Sequence, residues 1–127
     1  MMAGEGILVI DDNPANLRLL RLLLAAESYE VRTADGAAEA ITILKHFRPR
    51  LILMDLQMPG MNGFELTRWL KADAETRDII IVALTAYAMK GDEEKAREAG
   101  CDGYVSKPID TRTLPALVAA HLAQGAK

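Results

Sequence analysis

The sequence has little of what would hold a fold together covalently, and no stretch suited to a membrane. It contains one cysteine, Cys101, so no internal disulfide and no cysteine zinc cluster can form, and reducing surroundings fit this composition. The longest apolar run, residues 79–84, is far shorter than the roughly 20 residues that span a bilayer. No basic, apolar leader precedes the first apolar run, so we expect a cytoplasmic protein without a membrane partner.

The sequence also has no excess of positive charge. The net charge is −3 and the Lys and Arg residues are dispersed, so we expect no direct binding to nucleic acid. Half of the 127 residues are hydrophobic and 26% are charged, which is typical of a globular protein of one-domain size. We therefore expect a single domain over residues 1–127, with a core over about residues 7–122.

Short aliphatic runs ended by polar residues predict three buried strands, at residues 7–10, 51–54 and 79–84. Weaker patterns predict two more, at residues 29–34 and 103–106. Helical patterns separate and follow these strands. This fivefold alternation predicts an α/β fold, a parallel sheet with helices on both faces and right-handed crossovers.

Capping residues mark where several helices begin. Asn13 before a proline predicts the start of the first helix, Asp35 is expected to cap the second, and Asn62 with Glu65 resembles a capping box for the third. Trp69 is expected on the buried side of that third helix.

The last two helices carry weaker signals. The fourth, residues 90–99, ends at Gly100 and has almost no apolar stripe, so we expect it to be the most mobile helix. The fifth is predicted over about residues 111–121. Pro115 is tolerated only in a first turn, which delays the regular helix.

Polar side chains follow four of the predicted strands. Asp11 and Asp12 come after the first, Asp55 after the third, Thr85 after the fourth and Lys107 after the fifth. Parallel sheets bind ligands beyond these carboxyl ends, so we expect the five side chains to converge. Three carboxylates repel each other unless a cation neutralises them, and oxygen ligands favour Mg²⁺. The set suits phosphoryl transfer.

Each of these residues has a simpler explanation when taken alone. An acidic pair can cap a helix, Asp55 can form a turn before a proline, Lys107 can be solvated and Thr85 can end a strand. Tyr104 can be a packing residue. The ordered set favours the functional interpretation.

The set resembles the response-regulator receiver domain of bacterial two-component signalling. The matching pieces are the acidic pair, the segment LMDLQMPGMNG at residues 53–63, Thr85 with Ala86, and YVSKP at residues 104–108. The likeness covers nearly all of residues 7–122. It implies a flavodoxin-like (βα)5 doubly wound sheet of five parallel strands in the order 2-1-3-4-5.

The resemblance also implies roles for the site residues. Asp55 is the phosphoacceptor, which takes the phosphoryl group from a phosphohistidine of a sensor histidine kinase or histidine phosphotransfer protein. Asp12, Asp55 and the backbone carbonyl of Gln57 ligate Mg²⁺, and Asp11 holds it largely through water. Lys107 pairs with the phosphoryl group.

The remaining implied roles concern switching. Thr85 bonds to the phosphoryl group, Tyr104 changes rotamer, and the surface of helix four, strand five and helix five changes to control a downstream protein partner. The resemblance also implies a cis peptide before Pro108. The segment around Thr85 also resembles DivK-type single-domain regulators, although a receiver excised from a hybrid kinase or effector stays open as an alternative.

Two other classes fit the residues less well. A Mg²⁺-dependent phosphatase with an aspartate nucleophile needs a second acidic residue where Asn13 stands, and has a cap domain for which there is no room. A flavin-binding module needs donors for a phosphate in its first loop, where Asp11 and Asp12 would repel it.

Overall fold

The computed structural model describes residues 5–56, 62–85, 92–107 and 109–125. Five parallel strands form one sheet in the order β2-β1-β3-β4-β5, which confirms the predicted fold and strand order. The strands are β1 (Gly6–Ile10), β2 (Glu30–Ala34), β3 (Leu51–Asp55), β4 (Ile80–Thr85) and β5 (Gly103–Ser106). The helices are α1 (Pro14–Ala25), α2 (Ala37–Leu44), α3 (Gly63–Ala72), α4 (Asp92–Ala99) and α5 (Leu114–Gly125).

The central strands are buried on both faces because their side chains alternate between two hydrophobic clusters. Leu8, Ile52 and Ile81 belong to the cluster under α2, α3 and α4. Ile7 and Leu53 belong to the cluster under α1 and α5. Each central strand therefore needs apolar residues along its buried length, which explains the continuous runs in the sequence.

Strand register brings the polar strand ends together. Ile10 of β1 pairs with Met54 of β3, so the residues that follow them, Asp11 and Asp55, lie side by side at the carboxyl edge. On the other side of β3, Asp55 pairs with Leu84, the residue before Thr85.

The predicted caps of α1 and α3 are confirmed. The side chain of Asn13 accepts hydrogen bonds from the backbone N–H groups of Ala15, at 2.9 Å, and Asn16, at 3.4 Å. Asn62 accepts from the backbone N–H of Glu65 at 3.0 Å, and the Glu65 carboxylate accepts from the backbone N–H of Asn62 at 3.3 Å. These bonds satisfy donors that a helix start otherwise leaves unpaired.

Two predictions about helix residues were wrong. Asp35 does not cap α2: the N-cap position is Gly36, and Glu39 in the first turn accepts the Asp35 backbone N–H at 2.7 Å. Trp69 is not on the buried side of α3, since 44% of it is exposed. Leu66 and Leu70 fill that side instead, so the larger tryptophan lies at the edge of the buried face of α3.

The last two helices have the features that their sequences indicate. In α4 the described buried side chains are Ala96 and Ala99, so small residues hold this helix. Gly100 follows it with φ 111°, as a C′ glycine does. The regular part of α5 begins at Leu114, later than residue 111, with Pro115 in the first turn. Among the described helices, none has the length and apolar character to cross a membrane.

The Asn62 cap provides a first test of this local structure. Replacing Asn62 with alanine is expected to destabilise the fold by about 1 kcal/mol, because the Glu65 backbone N–H at the start of α3 loses the side-chain oxygen that accepts its hydrogen bond. Urea denaturation would measure the change. Asn62→Asp, which keeps an equally good cap, should retain the stability, and equal losses in both variants would contradict the role of the cap.

Candidate functional site

Three carboxylates form a cluster at the carboxyl edge of the sheet. One carboxylate oxygen from each of Asp11, Asp12 and Asp55 lies within 4.8 Å of the other two. Asp11 is fully buried and Asp55 is 3% exposed, whereas Asp12 is exposed. The cluster thus has a buried base and an outer carboxylate open to solvent.

Lys107 provides a positive charge at the base of this cluster. Its Nζ atom lies 3.0 Å from Oδ2 of Asp11 and 3.4 Å from Oδ2 of Asp55. Burial lowers the pKa of Lys107, but the hydrogen bond and charge of Asp11, together with Asp55, outweigh burial, so the net pKa is raised. The ammonium is therefore charged at neutral pH. The Lys107 backbone N–H donates to the Thr85 carbonyl at 2.7 Å, which ties the lysine to the end of β4.

Asn16 is a site residue that the sequence analysis missed. Its Nδ2 donates to Oδ2 of Asp11 at 3.2 Å, and the backbone N–H of Asn13 donates to Oδ1 of the same carboxylate at 2.9 Å. With Lys107, these donors occupy both oxygens of Asp11 and fix its orientation. The sequence could have indicated Asn16 by its position in the first helical turn after Asn13, because that turn faces the end of β1.

Gly63 was also missed, and it brings α3 against the end of β3. A Cβ atom built on Gly63 would lie 2.6 Å from the Asp55 carbonyl oxygen and 2.7 Å from the Leu56 Cα. The Gly63 N–H donates to the Leu56 carbonyl at 3.2 Å. Such a close approach between backbones requires glycine, so Gly63 helps to position Asp55.

The structure places the predicted switch residues on neighbouring strands. Thr85 ends β4 and is 1% exposed, and it pairs with Ser106 beside Lys107. Tyr104 of β5 is half-buried and packs against the cluster under α2, α3 and α4. The predictions for Gln57 and for the peptide before Pro108 lie outside the described residues.

The carboxylate cluster fits a hard divalent cation. Its three members offer only oxygen atoms, which Mg²⁺ prefers over the nitrogen and sulfur ligands typical of zinc and copper. Lys107 balances one of three negative charges. A divalent ion would neutralise the remainder, so the residues present suit a magnesium site.

Comparisons with known proteins agree with this fold. The family model for the response regulator receiver domain matches residues 7–119. The chain is 48% identical over 106 residues to the polar-differentiation response regulator DivK of Brucella anthropi, covering 83% of this chain and 85% of that protein.

Solved structures of receiver domains are also similar. The signal receiver domain of a histidine kinase from Syntrophus aciditrophicus has a TM-score of 0.89 at 30% identity, covering 98% of this chain and 94% of that one. The receiver domain of a sensor histidine kinase from Pseudomonas aeruginosa, described with magnesium coordinated in its active site cleft, has a TM-score of 0.85 at 31% identity, covering 95% and 99%. The chain belongs to the response regulator receiver domain family, and is a signalling protein rather than a classical enzyme.

Proposed function

We propose that this receiver is a phosphorylation switch in which Asp55 accepts a phosphoryl group. The observation that supports it best is the contact of a nearly buried Asp55 carboxylate with the Lys107 ammonium, at 3.4 Å, inside the three-carboxylate cluster. A carboxylate in such a place can act as a nucleophile, because the neighbouring ammonium can balance the negative charge of the phosphoryl group that it accepts.

The proposed reaction begins from a phosphohistidine on a sensor histidine kinase or histidine phosphotransfer protein. An oxygen of Asp55 attacks the phosphorus, forming an O–P bond while the P–N bond to histidine breaks. The product is an aspartyl phosphate. Lys107 pairs with the new phosphoryl oxygens, and the Thr85 hydroxyl donates a hydrogen bond to one of them. The only reactions the chain promotes are its own phosphorylation and dephosphorylation.

Mg²⁺ is the proposed cofactor. Asp12, Asp55 and the backbone carbonyl of Gln57 would ligate it directly, and Asp11 would hold it through water. The hydrogen bonds that occupy both oxygens of Asp11 support this division. Asp12 is exposed, so its carboxylate is accessible for direct coordination. When bound, the ion neutralises charge on the carboxylates and on the transferring phosphoryl group.

The proposed output is a change in the surface formed by α4, β5 and α5. Thr85 would move towards the phosphoryl group, and Tyr104 would follow by changing rotamer. The backbone hydrogen bond between Thr85 and Lys107 supports coupling between β4 and β5. Phosphorylation then shifts the population between two arrangements that bind a downstream protein differently.

We propose that residues 1–127 form this one receiver domain, and that it acts as a DivK-type regulator.

Phosphorylation by a small donor tests the proposal. The protein incubated with Mg²⁺ and acetyl phosphate is expected to gain one acid-stable, base-labile phosphoryl group, seen by intact-mass spectrometry. Reduction of the aspartyl phosphate with borohydride followed by peptide mapping should locate it at Asp55. A label mapped to another residue, or no label with intact folding, would refute the assignment.

The metal site supports a separate prediction. Asp12→Ala is expected to weaken Mg²⁺ binding by at least about tenfold, since loss of an outer-sphere partner alone often costs 10- to 100-fold. Isothermal titration calorimetry would measure the affinity. Asp78→Ala removes an exposed aspartate at the opposite edge of the sheet and serves as the matched control. Equal affinities in the two variants would contradict the ligand role of Asp12.

A further inference from the structure

The exposed Trp69 lies beside a groove far from the carboxylate cluster. Among the described residues, the large hydrophobic side chains that are exposed are Leu22, at 59%, and Trp69, at 44%. Trp69 borders a groove between α2 and α3, whose apolar walls include Ile41 and Leu44. Exposed tryptophans beside apolar grooves are typical of the residues that dominate binding at protein interfaces.

The α2–α3 groove has the size of a site for a side chain. Its volume is about 230 Å³, below the roughly 300–1,000 Å³ of sites that enclose small molecules. The groove is also partly open to solvent. These dimensions suit a single large side chain presented by another protein surface.

Charges of opposite sign flank the groove on its two sides. Lys45 and Arg48 lie on the α2 side, and Asp73 and Glu75 lie on the α3 side. Arg48 and Glu75 form an ion pair of 2.7 Å across the groove, with side chains 51% and 74% exposed. An ion pair so exposed contributes little to the fold, so its partners can exchange for equivalent ones on another molecule.

We propose that the chain self-associates through the α2–α3 groove as a twofold symmetric dimer. A patch with a cationic side, an apolar centre and an anionic side is complementary to itself after a twofold rotation about its centre. The α2 side of each copy then faces the α3 side of the other. Trp69 of each copy enters the groove of its partner, and the charges steer the pairing.

This arrangement leaves the phosphorylation site accessible. Helices α2 and α3 run opposite to the strands, so their last turns, which form the groove, lie at the edge where the strands begin. Asp55 ends β3 at the other edge. A dimer of this kind can therefore form independently of the proposed phosphoryl transfer.

Sedimentation velocity over a range of concentrations tests the proposal with the full chain. We expect a monomer–dimer equilibrium, and a blue shift of the emission of Trp69, the single tryptophan, as the dimer forms. Trp69→Ala should raise the dimer dissociation constant at least about 30-fold, as loss of a dominant interface residue does. Leu22→Ala, the matched exposed-residue control, should leave it unchanged. A monomer at every concentration, or equal effects of both variants, overturns the proposal.

Charge reversal tests whether the charged residues beside the groove act between two chains or only within one chain. One variant carries Lys45→Glu with Arg48→Glu, and another carries Glu75→Lys. Each alone should dimerise more weakly than the wild type. Their mixture should form heterodimers more tightly than either forms homodimers, because the cationic α2 side of the second variant meets the anionic α3 side of the first. A heterodimer that is no tighter than the two homodimers overturns the proposal. A chain that stays monomeric while its groove binds a different protein overturns it as well.

Discussion

Asp55→Asn is expected to abolish phosphorylation by acetyl phosphate while leaving the fold intact. The amide lacks the anionic oxygen that attacks phosphorus, and Asp55 is the member of the cluster that contacts Lys107 from the end of the central strand β3. The change removes one of three clustered carboxylates, so less repulsion remains. Intact-mass spectrometry with Mg²⁺ and acetyl phosphate, alongside urea denaturation, would measure both effects.

Two further variants make this prediction sharper. Asp55→Glu keeps the charge but moves the carboxylate by one methylene, and it should slow phosphorylation by at least about 100-fold, since a misplacement of about 1 Å can cost that much. Asp35→Asn, an exposed aspartate after β2, should react like the wild type. Persistent phosphorylation of Asp55→Asn would sink the acceptor assignment, whereas loss of reaction in Asp35→Asn would point to a general electrostatic effect.

The sequence was sufficient to predict the central strands because burial on both faces requires apolar residues along them. The runs at residues 7–10 and 51–54 contain only apolar side chains, and both lie within observed strands. The convergence of Asp11, Asp55 and Lys107 follows from topology, since every parallel strand ends at the same edge. Local rules also sufficed for Asn13 and Asn62, whose caps depend only on neighbouring residues.

Tertiary packing decided what the sequence could not. Helical spacing placed Trp69 on the same side as Leu66 and Leu70, but only the structure shows that those two leucines already fill the space over the sheet. Asp35 is a good capping residue by type, yet Glu39 reaches the same turn and Gly36 takes the cap position. The contact of Asn16 with Asp11 depends on how α1 docks.

Lys107→Met is expected to destabilise the metal-free protein by about 3 kcal/mol. That is the lower end of the cost of breaking a buried ion pair, and it fits a lysine side chain that is 16% exposed. The change leaves the fully buried Asp11 beside Asp55 without their shared cation. Because the pKa of Lys107 is raised above its ordinary value of 10.5, the pair stabilises the wild type fully below pH 10.5 and loses this effect only as the pH rises through the raised pKa.

Mg²⁺ should restore part of the stability that Lys107→Met loses, because an ion bound only by the folded state stabilises it and supplies the missing positive charge. Urea denaturation at neutral pH with and without Mg²⁺ would measure this, with Lys95→Met as the control for an exposed lysine on α4. We expect the Mg²⁺-dependent gain to be larger in Lys107→Met than in Lys95→Met. Equal metal-free stability of the two variants would mean that the Asp11–Lys107 pair does not stabilise the fold. An equal response to Mg²⁺ would mean that the ion and the ammonium do not neutralise the same carboxylates.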